Sequence, residues 1–338
     1  MIIVMHEDAT EEQIAHVVAR IEEVGATAHI SHGERVTLVG AIGDREVLTG
    51  LPVEAFPGVE RVVAVLKPYK LVSREFHPAD TIIDVRGRRV GGNQFTLIAG
   101  PCSVETPGQI MQAAEAARDA GASMMRGGAF KPRTSPYAFQ GLGREGLELL
   151  AEARERTGLP VVTELMDPRD LELVHEYADV IQIGARNMQN FQLLAEVGKA
   201  ERPVLLKRGA AATIEELLMA AEYVVKEGNR EVILCERGIR TFETATRNTL
   251  DISAVPVIKL ASHLPVVVDP SHSAGRLDLV LPLSLAAVVC GADGIIVETH
   301  PSPETALCDG PQSVPTRAFG EYAAHVRELV EFVGKSIS

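Results

Sequence analysis

The sequence predicts an α/β protein, a (β/α)8 TIM barrel preceded by a small α+β domain. Three observations lead to this prediction. Eight short apolar runs recur between residues 95 and 301, and helical periodicity fills most of the gaps between them. The first 66 residues alternate strand and helix patterns in a different order, βαββαβ. The length of 338 residues suits a barrel with a small addition.

The first domain, residues 1–66, is expected to be ferredoxin-like. It begins with the apolar strand Met1–Met5, and the capping-box pattern Thr10–Gln13 starts a helix that ends near Gly25. The remaining predicted elements are strand 28–31, strand 36–42, a short helix near Asp44 and strand 59–66.

Residues 67–80 are mixed and polar with two prolines, which indicates a linker. Residues 81–338 are predicted to form the barrel, led by a hairpin over 82–92 that turns at Gly87. The eight barrel runs are FTLIAG, SMMRGGAF, PVVTELM, VIQIGA, PVLLKRG, EVILCERG, LPVVVDPSH and GIIVETHP. Continuous apolar runs are typical of parallel strands covered on both faces. A doubly wound open sheet is less favoured, because no G-x-G-x-x-G follows the first run and the runs number eight.

Composition excludes several classes of protein. The net charge of −13 disfavours binding to nucleic acid or to an anionic membrane. No apolar run approaches the ~20 residues of a membrane helix, and the N-terminus lacks a signal-peptide pattern. The four cysteines are far apart in the chain, which does not indicate a disulfide framework. We therefore expect a cytoplasmic enzyme.

Cationic side chains collect at the ends of the predicted barrel strands, where barrel enzymes carry their active sites. These side chains are Arg126, Lys131, Arg133, Arg186, Lys207 and Arg237. Arginine and lysine recognise phosphate and carboxylate groups, and cations that share one barrel mouth repel each other unless an anion lies among them. The pattern predicts a ligand with several negative charges. The alternative, in which each cation pairs with an acidic residue of the rim, is less favoured for six cations in an acidic protein.

A second group of strand-end residues predicts a metal site. Cys102, His272, Glu298 and Asp309 follow the first, seventh and eighth strands, and strands one and eight are neighbours in a closed barrel. A thiolate, an imidazole and two carboxylates suit one divalent ion of the Mn, Fe, Co or Zn class. Cys102 as a core residue and His272 as a structural histidine remain the alternatives, and Cys308 could compete as a ligand.

Seven segments along the barrel carry a specific combination of residues. They are Ile98–Ser103, Arg126–Pro136, Ile183–Asn187, Leu206–Gly209, Cys235–Gly238, Val268–Ser273 and Ile296–Glu298. Together they resemble the 3-deoxy-D-arabino-heptulosonate 7-phosphate (DAHP) synthase family. The first domain is similar to the N-terminal ferredoxin-like regulatory domain of one subtype of that family.

The resemblance implies a metal-dependent transferase that condenses phosphoenolpyruvate with erythrose 4-phosphate, the first step of the shikimate pathway to aromatic amino acids. It implies four metal ligands: Cys102, His272, Glu298 and Asp309. It implies that phosphoenolpyruvate binds to Arg126, Lys131, Arg186, Lys207 and Arg237 with the Ala185 backbone. It assigns the aldose phosphate to Arg133, Thr134 and Ser135.

Three residues are the expected catalytic centre: Lys131, Cys102 and His272. Lys131 is the candidate for proton transfer to the new alkoxide, because neighbouring cations can depress the pKa of a lysine.

Two other functions stay open. The related octulosonate 8-phosphate synthases use arabinose 5-phosphate, but their loop typically reads Lys-Ala-Asn-Arg-Ser, whereas residues 131–135 read Lys-Pro-Arg-Thr-Ser. A non-catalytic sensor of phosphorylated metabolites is the second alternative, and the complete set of metal ligands argues against it.

The likeness of the first domain implies feedback inhibition by tyrosine or phenylalanine, with His29 and Ser31 contacting the inhibitor at a subunit interface. An oligomerisation domain without a ligand is the alternative. A homotetramer is expected from the likeness, and chorismate mutase activity is not.

Overall fold

The computed structural model describes residues 1–33, 35–44, 47–48, 50–63, 68–133 and 135–338. The chain divides into two compact units. The first contains residues 1–80 and 260–263, and the second contains residues 81–259 and 264–338. Within the described ranges, no helix has both the length and the apolar character that crossing a membrane requires.

The first unit contains a four-stranded antiparallel sheet in the order β2-β3-β1-β4. Its strands are β1 (Ile2–Met5), β2 (Thr27–His32), β3 (Thr37–Ile42) and β4 (Val59–Val63). Helix α1 (Glu11–Glu23) links the first two strands, and a 3-10 turn, Val53–Ala55, precedes the last. This sheet order confirms the ferredoxin-like fold. The short helix expected near Asp44 and the end of the strand expected over 59–66 fall partly outside the described residues.

Helix α1 forms because its sequence supplies hydrogen-bond partners at the N-terminal end and apolar side chains along one face. Thr10 accepts a hydrogen bond from the Gln13 backbone, and the Gln13 side chain accepts one from the Thr10 backbone, so the capping box is present. Ile14, Val17 and Ile21 are buried and belong to the core of this unit.

The second unit is a closed parallel barrel of eight strands. They are β7 (Gln94–Gly100), β8 (Met124–Arg126), β9 (Val161–Leu165), β10 (Val180–Ile183), β11 (Val204–Lys207), β12 (Val232–Glu236), β13 (Val266–Val268) and β14 (Gly294–His300). Each strand pairs with the next, and β14 also pairs with β7, which closes the barrel. All eight predicted runs are therefore barrel strands, and the open-sheet alternative is wrong.

Helices follow most of the barrel strands. They are α2 (Pro107–Asp119), α3 (Arg144–Thr157), α4 (Leu171–Tyr177), α5 (Phe191–Gly198), α6 (Ile214–Lys226), α7 (Ala254–Ala261), α8 (Pro270–Ala274), α9 (Leu277–Val289) and α10 (Thr316–Phe332). Two short strands extend the sheet: β15 (Val314–Pro315) beside β14 and β16 (Ser336–Ile337) beside β7.

The predicted leading hairpin is also present, as β5 (Ile83–Val85) and β6 (Arg88–Val90). Its apolar side chains join one core cluster with residues of all eight barrel strands, among them Ile98 and Met124. Arg86 of its turn lies 3.0 Å from Asp179, which precedes β10, so the hairpin lies at the N-terminal ends of the strands. The opposite, C-terminal end of the barrel is left for a site.

Candidate active site

A cavity of about 610 Å³ opens at the C-terminal ends of the barrel strands. All six predicted cations line it, as do Ser135, Ala185, His272 and Asp309. Thr134 lies outside the described residues. Among the described carboxylates, none forms an ion pair with Arg133, Arg186 or Arg237. Pairing with rim acids therefore does not account for these three guanidinium groups, whose described partners are uncharged carbonyls and the Cys308 sulfur, and an anionic ligand would supply the charge that balances them.

The four predicted metal ligands converge beside this cavity, and we call these four residues the ligand group. One donor atom from each of Cys102, His272, Glu298 and Asp309 lies within 4.8 Å of all the others. The two carboxylates approach the same imidazole nitrogen: His272 Nε2 is 3.3 Å from Glu298 Oε1 and 3.7 Å from Asp309 Oδ2. Asp309 reaches this position with φ 51°, a left-handed conformation that is uncommon outside glycine. A soft thiolate, an imidazole and two carboxylates at this spacing fit one divalent transition ion.

The orientation of His272 is set by Asp269. Asp269 Oδ2 lies 2.7 Å from His272 Nδ1, which holds the hydrogen on that nitrogen and leaves Nε2 for the ligand group. Asp269 also caps the short helix α8 by accepting a hydrogen bond from the His272 backbone. Burial alone would raise the pKa of Asp269, but His272 and Lys207 lower that pKa well below its usual value.

The two carboxylates of the ligand group have further partners. Gln312 Nε2 donates to Glu298 Oε2 at 2.6 Å, and Arg247 Nη1 lies 3.0 Å from Asp309 Oδ1. Arg247 also donates to Gln312 at 3.2 Å, so one chain of contacts spans both carboxylates. Burial opposes ionisation of Asp309, but the attraction of His272 and Arg247 lowers its pKa to about 2.

Two predicted cations approach the ligand group directly. Arg126 Nη1 lies 3.1 Å from Glu298 Oε1, and Lys131 Nζ donates to Cys102 Sγ at 3.0 Å. Burial is the largest single influence on the pKa of Lys131 and lowers it, and Arg126 lowers it too. Cys102 and Glu164 together outweigh these effects, so the net pKa is raised. The expected depression of the Lys131 pKa by neighbouring cations is therefore wrong. The side chain is a charged ammonium, which can donate a proton.

The loop after β8 brings Arg133 to the outer part of the cavity. Arg133 Nε donates to the Phe139 carbonyl at 3.1 Å, Nη2 donates to the Leu307 carbonyl at 3.3 Å, and Nη2 also contacts the Cys308 thiol. These contacts join the loop after β8 to the loop after β14. Cys308 is not a member of the four-residue ligand group in the described part of the chain.

Sequence reasoning missed several residues of the site. The missed residues that line the cavity are Glu164, Gln182, Arg240, Arg247 and Asn248. Gln312 is a further missed residue, and it donates a hydrogen bond to Glu298, one of the four proposed metal ligands. Glu164 lies near the end of β9, so the rule that placed the other strand-end residues could have found it. Arg247 lies in an irregular segment and Gln312 ends the short 3-10 turn Gly310–Gln312, so no barrel strand or longer helix pattern marks them.

Comparison with known proteins identifies the family. Residues 80–334 match the DAHP synthetase I family, and residues 1–67 match the DAHP synthase ferredoxin-like domain. The chain is 55% identical to phospho-2-dehydro-3-deoxyheptonate aldolase of Thermotoga maritima over 100% of both sequences. The crystal structure of that protein matches with a TM-score of 0.80 over 100% of this chain and 99% of that one.

Other matches cover part of the chain. The 2-dehydro-3-deoxyphosphooctonate aldolase of Syntrophobacter fumaroxidans is 32% identical over 69% of this chain and 86% of its own length. A truncated Thermotoga maritima DAHP synthase matches 80% of this chain at 54% identity, with a TM-score of 0.75. The full-length match and both family matches agree with the resemblance seen in the sequence: the chain belongs to the DAHP synthetase I family and carries its ferredoxin-like domain at the N-terminus.

Proposed function

We propose that the protein is a 3-deoxy-7-phosphoheptulonate synthase, which converts phosphoenolpyruvate, D-erythrose 4-phosphate and water into DAHP and phosphate. The observation that carries this proposal is the cavity itself, where guanidinium groups without described carboxylate partners lie beside a compact ligand group for one metal ion. Two phosphorylated substrates and a carboxylate need such a concentration of cations. Family membership supports the same reaction.

Phosphoenolpyruvate is assigned to the inner cations of the cavity: Arg126, Lys131, Arg186, Lys207 and Arg237. The backbone N–H of Ala185, at the start of the 3-10 turn Ala185–Asn187, is available as a further donor. Arg133 and Ser135, with Thr134, are assigned to the phosphate of erythrose 4-phosphate, because Arg133 and Ser135 line the cavity beyond Lys131.

Cys102, His272, Glu298 and Asp309 would hold one divalent ion of the Mn, Fe, Co or Zn class. When bound, the ion supplies Lewis-acid polarisation of the aldehyde oxygen. The residues of the chain hold both substrates so that C3 of phosphoenolpyruvate faces the aldehyde carbon. A C–C bond forms between these carbons, water adds at C2, and the C2–O bond to phosphate breaks.

Lys131 is the proposed proton donor to the alkoxide that forms from the aldehyde oxygen. Its ammonium group is charged and lies 3.0 Å from the Cys102 sulfur, so it places a proton donor beside the residues that would hold the metal ion. Lys131→Met should reduce turnover by about 100-fold or more. A variant with near-normal turnover would remove this role.

The activity assay uses purified protein with Mn, phosphoenolpyruvate and either erythrose 4-phosphate or arabinose 5-phosphate. We expect phosphate release and DAHP formation with the four-carbon sugar. Faster turnover with arabinose 5-phosphate would instead assign the octulosonate reaction, and no phosphate release with either sugar would favour a sensor. Identity of 55% over the full chain, against 32% over 69% of the chain, favours the heptulosonate reaction.

The N-terminal domain is the proposed control site for an aromatic amino acid. His29 and Ser31 lie two residues apart on β2, so their side chains leave the same face of the sheet. We assign them to the inhibitor, at an interface between subunits of a homotetramer. Activity that changes with neither tyrosine nor phenylalanine would contradict this assignment, and a monomer in light scattering would contradict the assembly.

The proposed organisation is a regulatory domain over 1–66, a linker over 67–80 and a catalytic barrel with its leading hairpin over 81–338. A cytoplasmic location is the further proposal, supported by the four cysteines, all of which are free thiols.

A further inference from the structure

We infer that a trio of charged residues, the buried Arg208 and Glu236 with the half-buried Asp251, positions Lys207 and Arg237 for phosphoenolpyruvate. This inference rests on the proposed function. We call these three residues the Arg208 trio. No member of the trio lines the cavity, whereas both Lys207 and Arg237 do. The trio therefore acts through its neighbours in the chain.

Arg208 joins the segment after β11 to the last residue of β12 and to the segment that follows β12. Its Nη1 lies 2.8 Å from Glu236 Oε2 and 2.8 Å from Asp251 Oδ2, and its Nε donates to the Ala212 carbonyl at 2.9 Å. Its backbone N–H donates to the Cys235 carbonyl at 2.9 Å, which continues the β11–β12 ladder beyond Lys207. Successive side chains of an extended segment point to opposite sides, so fixing Arg208 on one side fixes Lys207 on the other.

Glu236 fixes the backbone on both sides of Arg237. Its Oε1 accepts a hydrogen bond from the Gly238 backbone at 2.6 Å, so the carboxylate spans the Arg237 residue. Gly238 has φ 89°, and a side chain there would overlap Ser273 and Asn248. The Glu236 carbonyl accepts from the Asp269 backbone at 2.8 Å, which ties this segment to β13. The Arg237 guanidinium can then reach the cavity in one backbone geometry.

Stability alone does not explain the charges of the Arg208 trio, whereas its effect on geometry does. Arg208 and Glu236 are almost fully buried, and an unpaired charge at such a position would be strongly unfavourable. A well-packed apolar pair can be as stable as a buried ion pair, so stability alone does not require these charges. Their hydrogen bonds have a direction that apolar contacts lack, and here the direction sets the geometry of two neighbouring cations.

The test compares Glu236→Gln with a matched control, Asp179→Asn. Asp179 is also a buried carboxylate, 3.3 Å from Arg154 and accepting from the Val161 backbone, but it lies at the N-terminal end of the barrel. Both variants are expected to unfold at a lower temperature than the wild type. In the Mn-loaded protein, Glu236→Gln should raise KM for phosphoenolpyruvate by about tenfold or more and change KM for erythrose 4-phosphate less than about twofold. Asp179→Asn should change neither.

A second variant covers the case in which Glu236→Gln does not fold. Asp251→Asn keeps the Arg208–Glu236 pair and should raise KM for phosphoenolpyruvate by a smaller factor, about threefold. Calorimetric titration with phosphoenolpyruvate should give matching changes in Kd. Unchanged KM and Kd in both trio variants, or an equal rise in Asp179→Asn, would overturn the inference. Wild-type protein that binds phosphoenolpyruvate but forms no DAHP would overturn the proposed function, and the Kd values would still decide the role of the trio.

Discussion

The carboxylate of Asp269 lies 2.5 Å from the ammonium nitrogen of Lys207. The same oxygen lies 2.7 Å from His272 Nδ1, so one buried group contacts both a proposed substrate cation and a proposed metal ligand. Substrate binding and metal binding are therefore expected to depend on each other through Asp269.

Asp269→Asn should weaken both kinds of binding. The amide carries no charge, so it neither compensates the Lys207 ammonium nor holds the His272 tautomer as strongly. We expect metal affinity to fall about 10- to 100-fold, measured by competition with a chelator, and phosphoenolpyruvate affinity to fall in titration calorimetry.

Asp293→Asn is the matched control for that substitution. Asp293 is buried and contacts two lysines, Lys259 at 2.8 Å and Lys335 at 3.1 Å. Its backbone N–H donates to the carbonyl of Val266, the first residue of β13. Its substitution should lower stability and leave metal affinity unchanged. An equal loss of metal affinity in both variants would show that the effect of Asp269 is not local.

Gln312→Ala should weaken metal binding without removing a ligand. Its amide donates to Glu298 Oε2 at 2.6 Å and accepts from Arg247 at 3.2 Å, so it holds one carboxylate in place. We expect metal affinity to fall about tenfold and the free energy of unfolding to fall by about 1–3 kcal/mol. Chelator competition and urea unfolding measure the two effects. Full metal affinity in a destabilised variant would make Gln312 a packing residue only.

Gly184→Ala should impair the site through steric overlap. A Cβ at this position would overlap Glu164 Oε1, and Glu164 and Gly184 both line the cavity. The carboxylate has to move, so we expect kcat/KM to fall by about tenfold or more.

Gly320→Ala provides the control for Gly184→Ala. Gly320 is exposed within α10, and a Cβ there meets no atom within 4 Å. This substitution should keep full activity and raise stability by about 0.5–1 kcal/mol, since alanine is the better helix former. Equal kcat/KM in the wild type and Gly184→Ala would mean that Glu164 can move without consequence.

His263 should make the first unit less stable in acid. The pKa of His263 is lowered from 6.5 to about 4, mainly because the side chain is buried, and the nearby His77 and Arg74 lower it as well. The hydrogen bond from His263 Nε2 to the Leu71 carbonyl and the charge of Asp80 raise the pKa, but by less. The unfolded chain takes up a proton below about pH 6.5 and the folded chain does not, so stability is lost as the pH falls from 6.5 towards 4. The loss amounts to about 3 kcal/mol at most.

The measurement for His263 is the unfolding temperature between pH 7 and pH 4. The curve for His263→Gln should fall less steeply than that of the wild type. His325→Gln, which changes an exposed histidine of α10, should follow the wild-type curve. Parallel curves for the wild type and His263→Gln would show that this histidine does not set the acid response.

Much of the fold follows from local pattern. The eight runs that become barrel strands are apolar throughout because both their faces are buried, and the capping box at Thr10 fixes where α1 begins. The candidate ligands and cations were predictable for a related reason: a barrel places the ends of its strands around one mouth, so strand-end residues meet regardless of their separation in sequence.

The sequence by itself determined the barrel, the ferredoxin-like domain, and the chemical identity of the strand-end residues. Only the tertiary structure decided the direction of the Lys131 pKa, because that depends on the distance to the Cys102 sulfur and on burial. The tertiary structure also placed Arg247 against the Asp309 carboxylate and Gln312 against the Glu298 carboxylate. It likewise joined Arg208 to Glu236 and Asp251. These contacts join side chains from loops of different strands, and no periodicity along the chain records a distance through space.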